Sequence, residues 1–346
     1  MRSASWRLAV AGVVLAATAL PAVAHATTSE CTWVESDLPL PAGIVSATVN
    51  GSDGQLTFVG TAYTRVGGPG QGIVWQNGTP HLLGYAANSR NTQLSGIDSA
   101  GDAVGEESLG SFEVPVLYHN GGYEGLTAPF ASASELVAYG INANGDVVGT
   151  ALENNGTNVF VVWPAGRPSN PRALPIPGNV DWAGIPYIED DGYIASYNGV
   201  PNAYVWAPDG TPTALTPVKP GDSTEVFDIR GGRILGFSGG SAGSTIVEWD
   251  TAGNVIRTLP DVATYSRVLR INANDTVLGE STAGGQQYGL WQQGQLIGRL
   301  AAPANAQSIV PVVLTDGDIV GGSYTVSGGA SVPAEWECGG PSITAG

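Results

Sequence analysis

Residues 138–151 read Ala138-Tyr-Gly-Ile-Asn-Ala-Asn-Gly-Asp-Val-Val-Gly-Thr-Ala151. Apolar residues flank Asn142-Ala-Asn-Gly145, and Asn-Gly tolerates the positive φ that a hairpin turn demands, so the stretch predicts two short strands around a tight turn. Variants of it recur. Aligned on the residues that close the hairpin, the copies are Phe58-Val-Gly60, Ala103-Val-Gly105, Val147-Val-Gly149, Tyr193-Ile-Ala195, Ile234-Leu-Gly236, Val277-Leu-Gly279 and Ile319-Val-Gly321. Successive last residues are 45, 44, 46, 41, 43 and 42 apart. A second marker keeps the same phase: Trp75, Tyr118, Trp163, Trp206, Trp249, Trp291 and Trp336, with Trp33 lying 42 residues before the first.

A period near 43 built from four short strands is the sequence sign of a β-propeller blade. In the third copy strand A is expected over Val137–Ile141, B over Val147–Leu152, C over Val159–Trp163 and D over Arg172–Ile176. Helical solenoids share the period, but their 3.6-residue apolar stripes are absent. The expected fold is all-β: a seven-bladed propeller with four-stranded blades at 42–84, 92–127, 136–176, 182–217, 225–260, 266–300 and 308–338. The last copy has A near Val312, B near Ile319 and C near Pro333, and lacks a fourth strand. The segment 31–41 is one strand too many and ends in a D-like Leu-Pro pair, so it is expected to complete the last blade. Cys31 and Cys338, the only two cysteines, then become neighbours across the seam, and a disulfide is expected. No Cys-x-x-Cys spacing points to redox chemistry.

Residues 1–26 have the layout of a signal peptide: Arg2 and Arg7, an apolar run from Leu8 to Leu20, a break at Pro21 and a small-x-small site at Ala24-His25-Ala26. The propeller is expected over 27–340 and a flexible tail over 341–346. Later apolar runs are too short to span a bilayer, so secretion without membrane insertion is expected, with cell-envelope association as an alternative. Loss of the two arginines takes the formal charge from −17 to −19, and Lys219 is the only lysine. Phosphate-backbone binding needs clustered Lys and Arg, which excludes nucleic acid as a partner. The acidity itself reads as solubility. With 50 glycines and 23 prolines, the composition favours strands and turns.

Gly140-Ile-Asn-Ala-Asn-Gly-Asp-Val-Val-Gly149 and Arg270-Ile-Asn-Ala-Asn-Asp-Thr-Val-Leu-Gly279, each followed by an aromatic strand ending in Trp, resemble the repeats of the bacterial extracellular HAF family. The likeness extends over all seven units, two of them well preserved. The His-Ala-Phe tripeptide of that family is replaced by Asn158-Val-Phe160 and Asn202-Ala-Tyr204, and Ala195 stands for the closing glycine of the fourth copy. The resemblance implies a secreted, propeller-like protein and no particular activity.

Chemistry by a Ser-His-Asp device or a histidine metal site needs histidines that converge. His81 and His119 fall beside C or D strands of different units and are expected at the outer rim. The A-to-B turn set, Asn50, Asp98, Asn142, Glu189, Arg230, Asn272 and Thr315, would ring one channel mouth. Such oxygens could hold calcium, but Asn and Asp belong at turns for backbone reasons, and Arg230 opposes a cation. No cofactor is therefore expected. The repeated Trp and Tyr read as packing between blades. Ligand contacts are expected where the copies differ, on the face of the D-to-A and B-to-C loops, at Tyr63, Phe112, Trp182, Tyr197, Phe237, Tyr265 and Tyr324, with Arg65, Arg90, Arg267 and Lys219 among the few cations. The function read from this is a secreted, monomeric binding or scaffold module for an extracellular glycan or protein. The alternatives are a lactonase-like propeller hydrolase or lyase with a channel metal, and a structural envelope protein.

Overall fold

The computed structural model describes residues 31–86, 89–109, 112–154, 156–174, 176–177, 184–197, 202–264, 269–282 and 287–339. The expected signal peptide and tail, and Trp182, Tyr265 and Arg267, lie outside them. Among the described residues the regular structure is all strand, with no helix.

β1 (Cys31–Asp37) precedes the repeats. Unit one is β2 (Ser46–Ser52), β3 (Thr57–Tyr63), β4 (Gly70–Gln76) and β5 (Thr79–Gly84). Unit two is β6 (Thr92–Ile97), β7 (Ala103–Leu109), β8 (Phe112–His119) and β9 (Gly122–Gly125). Unit three is β10 (Ala133–Ile141), β11 (Val147–Glu153), β12 (Asn158–Trp163) and β13 (Arg172–Ala173). Unit four is β14 (Tyr187–Ile188), β15 (Ile194–Tyr197), β16 (Ala203–Trp206) and β17 (Pro212–Ala214). Unit five is β18 (Ser223–Arg230), β19 (Arg233–Gly240), β20 (Gly243–Asp250) and β21 (Val255–Leu259). Unit six is β22 (Arg270–Ile271), β23 (Thr276–Glu280), β24 (Tyr288–Gln292) and β25 (Gln295–Leu300). Unit seven has three strands, β26 (Ser308–Leu314), β27 (Val320–Thr325) and β28 (Ser331–Cys338). We call the strands of each unit A to D in this order.

Units one to five are separate four-stranded antiparallel sheets. β1 pairs antiparallel with β28, Trp33 opposite Cys338 and Asp37 opposite Ala334, and parallel with β25, Cys31 opposite Gly298, so units six and seven join through it in one eight-stranded sheet. Cys31 and Cys338 are disulfide-bonded with Cα atoms 5.8 Å apart. Consecutive units pack against one another, and β2 of unit one packs on β26, β27 and β28 of unit seven.

The repeated residues have physical causes. Strand A of units one, two, three, five and seven carries a bulge. It leaves the carbonyl oxygens of Thr48, Gln93, Val137, Glu225 and Val310 only 1.7–2.4 Å from where a Cβ would stand on Gly60, Gly105, Gly149, Gly236 and Gly322. The closing glycine is thus demanded by close backbone approach. The pairing also corrects the sequence alignment in two units. The closing residue lies two after the one facing the strand-C aromatic. In unit four Ile194 faces Trp206, which makes it Ser196, and in unit seven Val320 faces Trp336, which makes it Gly322. Ala195 and Gly321 mimic the small residue one step early, a slip that would reverse every side chain in the strand.

Trp75, Trp163, Trp206, Trp249 and Trp336 are all essentially fully buried. The indoles of Trp75, Trp163, Trp249 and Trp336 donate to the carbonyls of Pro39, Thr127, Thr216 and Ala301, at 2.7–2.9 Å. The acceptors follow β1, β9, β17 and β25, which precede units one, three, five and seven, so each aromatic packs against the preceding unit and its polar edge finds a partner there.

Candidate functional site

Asn142 and Asn272 each organise their own turn and grip the next unit. The Asn142 Oδ1 accepts from the N–H of Asn144 (3.1 Å) and Asp146 (2.9 Å), and Asn272 Oδ1 from those of Asn274 and Thr276 (3.0 Å each). Their Nδ2 groups donate forward, Asn142 to Glu189 O (3.1 Å) and Asn272 to Thr315 O (2.8 Å). The second asparagine of each triplet repeats the move, Asn144 Nδ2 to Asp190 O (2.7 Å) and Asn274 Nδ2 to Asp316 O (2.5 Å). The central alanine N–H completes it, Ala143 to Asp190 Oδ1 (2.8 Å) and Ala273 to Asp316 Oδ1 (2.9 Å). Asn-Ala-Asn is therefore an inter-unit clamp as well as a turn. In unit one the corresponding residue is Asp53, whose Oδ1 accepts from Gln55 and Thr57. Asn50 is not in that set: it lies on β2 and donates to Leu94 O (2.8 Å) of unit two. The sequence alignment missed this because Asn50 and Asp53 both carry turn chemistry three residues apart.

The two clamped aspartates converge on one cation. Arg230, at the end of β18, places Nη1 2.6 Å from Asp190 of unit four and Nη2 2.7 Å from Asp316 of unit seven. A Cβ on Gly54 of unit one would lie 2.6 Å from the same Nη2. The guanidinium thus bridges turns of units four, five and seven beside unit one. Burial alone would raise the Asp316 carboxyl, but the hydrogen bond from Arg230, the Ala273 N–H and the Arg230 charge outweigh it and hold the group below its usual range. Buried Glu189 goes the other way: desolvation raises it despite the Asp190 N–H and Arg230.

Behind this bridge a cavity of about 330 Å³ touches strand A of all seven units. At the register position that pairs with Val59 in unit one, units one to three carry Gly51, Gly96 and Gly140, and units four to six carry Tyr187, Asp228 and Arg270. At this position one side of the cavity wall is therefore bare backbone and the other carries polar side chains. Asp228 accepts the N–H of Ile229 and of Ile271 (3.0 Å each). Burial pushes its carboxyl up to about 6, against the pull of Arg270 and those two N–H groups. Among the described residues no three His, Cys, Asp or Glu side chains gather as metal ligands.

The residues expected as ligand contacts do not form one exposed platform. Tyr324 is buried, 4% exposed, and donates to Asp37 Oδ1 at 2.9 Å. Phe237 is half-buried against Phe227, with ring centroids 6.0 Å apart. Tyr63 and Tyr197 are half-buried at the ends of β3 and β15, and Phe112 begins β8. The exposed apolar residues are different ones. Val45, Val66, Tyr85, Leu109, Ile185 and Val218 lie in or beside the D-to-A and B-to-C connections, whereas Leu56 and Val255 are the two such residues in or beside a described A-to-B or C-to-D turn. The sequence signal for them was an apolar residue outside the alternation of the strands. On the same face Glu106 faces Glu113 and Glu135, and burial, then the charge and hydrogen bond of Glu113, then Glu135, push it up to about 7. His119 is exposed and donates from Nδ1 to Asp102 at 2.6 Å, and His81 is exposed on β5, so the two stand in separate sheets.

No protein-family model and no curated protein sequence matches the chain. Solved structures do. The β-propeller domain of the trilobed protease from Pyrococcus furiosus, described as having an open velcro topology, aligns with a TM-score of 0.59 at 10% identity, over 87% of this chain and 95% of that one. A streptogramin B lyase aligns with a TM-score of 0.54 at 12% identity over 88% and 98%. YCF48 bound to D1 peptide aligns with a TM-score of 0.50 at 13% identity over 91% and 97%. At such identities the likeness concerns the fold: an all-β, propeller-like protein.

Proposed function

We propose that the chain is a secreted, seven-bladed β-propeller of the HAF-repeat kind, with β1 as the fourth strand of the last blade. It acts as a non-catalytic recognition module that binds an extracellular protein across the D-to-A and B-to-C face. The observation that carries the reading is the unequal distribution of exposed apolar side chains among the described residues, six in or beside the connections of that face against Leu56 and Val255 on the other. Apolar side chains rimmed by carboxylates are the surface chemistry of protein interfaces. Sugars would ask for exposed rings, and Tyr85 is the lone exposed aromatic among those six. The disulfide suits an oxidising compartment.

Pull-down from culture medium, run beside a glycan array, tests this. Val66→Asp and Tyr85→Asp change exposed residues and should leave stability within about 0.5 kcal/mol while abolishing capture. Capture that survives both changes, or array binding without protein capture, overturns the reading.

A further inference from the structure

The central cavity holds groups that the fold does not use up. Arg270 donates from Nη1 to Leu269 O (2.8 Å), its one hydrogen bond among the described residues, and no described carboxylate lies within ion-pair distance of it. The Tyr187 hydroxyl has no hydrogen-bond partner among the described residues, and it stands in the fields of Arg270 and Asp228. Each oxygen of Asp228 already accepts one backbone N–H, which leaves a lone pair on each to accept a further hydrogen bond such as that of a hydroxyl. On the opposite wall Asn50 and Ser95 add neutral polar atoms, and Gly51, Gly96 and Gly140 leave three positions without side chains. Ile185, 48% exposed, lines the same cavity where strand A of unit four begins, so solvent reaches it from the end opposite Arg230.

We propose that this cavity is a binding site for a small hydroxylated carboxylate of the hexuronate type. The Arg270 guanidinium would take the carboxylate, and Tyr187 and Asp228 would take ligand hydroxyls. An unpaired guanidinium in a confined site selects for a carboxylate because its fixed fork matches the two oxygens. A volume of about 330 Å³ is at the small end for a ligand pocket, which suits one sugar ring. The cavity opens at Ile185 onto the protein-binding face proposed above, but its ligand contacts, Arg270, Tyr187 and Asp228, are different residues from Val66 and Tyr85, so the two readings are tested by different variants.

Calorimetric titration of the full secreted chain with sodium glucuronate, its methyl ester, glucose and glutamate tests the assignment. Glucuronate should bind, the ester about tenfold more weakly, and glucose not measurably. Arg270→Gln should weaken glucuronate about tenfold and Tyr187→Phe about threefold. The comparison of acid and ester on the unchanged protein stands even if Arg270→Gln fails to fold. Equal binding of acid and ester, tighter binding of glutamate, or no glucuronate binding at millimolar concentration overturns the proposal.

Discussion

In units three and six the A-to-B turn is Asn-Ala-Asn and its polar atoms fasten the following unit. Unit five makes the same turn as Arg230-Gly-Gly-Arg233, one residue shorter, with Gly231 and Gly232 at φ of 59° and 70°. It has no side-chain amide to grip a neighbour with, and only the Gly232 N–H turns to Glu189 of unit four. Instead Arg230 reaches the two aspartates that the asparagine turns have placed, one through each preserved copy. The repeats thus position, and the deviant unit exploits the positions. A motif repeated in the chain has a local role and a relational one, and the relational one shows only when the units stand side by side.

The largest effect comes from combining the seam with a clamp. In the chain-entropy model a loop closed over a separation of 307 residues is worth roughly 5 kcal/mol, so Cys338→Ser should lower unfolding stability by up to about that amount. Asn272 acts at the same junction of units six and seven, and Asn142 at the junction of three and four. Adding Asn142→Ala to Cys338→Ser should therefore be additive, and adding Asn272→Ala should not. Denaturant midpoints of the single and double variants decide it, and equal additivity in both pairs would break the picture of junction-by-junction fastening.

Next in size is the clamp alone. Asn272 is fully buried and also donates to Asp318 Oδ1 at 2.7 Å. Asn272→Ala leaves buried N–H and C=O groups without partners and should cost about 3 kcal/mol. Asn142, lacking the extra carboxylate partner, should cost about 1 kcal/mol less. Gly231→Ala should cost roughly 1–2 kcal/mol, because its Cβ would stand 2.8 Å from the Ala273 Cα of unit six. A neutral result would mean that the short turn is not held against its neighbour.

These contrasts mark the limit of what a single chain displays. The period, the strand-C aromatics and the cysteine pair are legible because each is a fixed residue type at a fixed spacing, set by packing that every unit repeats. Asn50 against Asp53, and Ala195 against Ser196, are not legible, because a shift of one to three residues among small polar types leaves the pattern intact and only strand pairing separates them. An aromatic near a loop signals ligand contact by residue type alone, yet Tyr324 finds Asp37 on a strand 287 residues away. Arg230 looked like an obstacle to a cation ring. Its role follows from the fold, which brings Asp190 and Asp316 to the same mouth.

The smallest effect is the most specific to the comparison. Arg230→Gln removes the cation and leaves Asp190 and Asp316 facing one another with Glu189 beside them, at a cost of about 1–2 kcal/mol near neutral pH, since solvent screens the Asp190 side of the bridge. Asp316 is held below its ordinary 3.8 in the folded state. The unfolded chain therefore binds its proton first as acid is added, and the stability contributed by the pair is present above about pH 4 and lost as pH falls through the folded pKa. Glu106 and Glu335, raised to about 7 chiefly by burial, act with the opposite sign: their protonated forms favour the fold, so stability declines as pH rises from about 4.5 through 7. They are untouched by the substitution and decline alike in both proteins, so they cancel in the difference. The melting temperatures of parent and Arg230→Gln should then stay apart from pH 5 to 8 and converge toward pH 2. A gap that persists unchanged into acid would show that Arg230 supports the mouth by packing alone and that the two preserved turns do not meet through it.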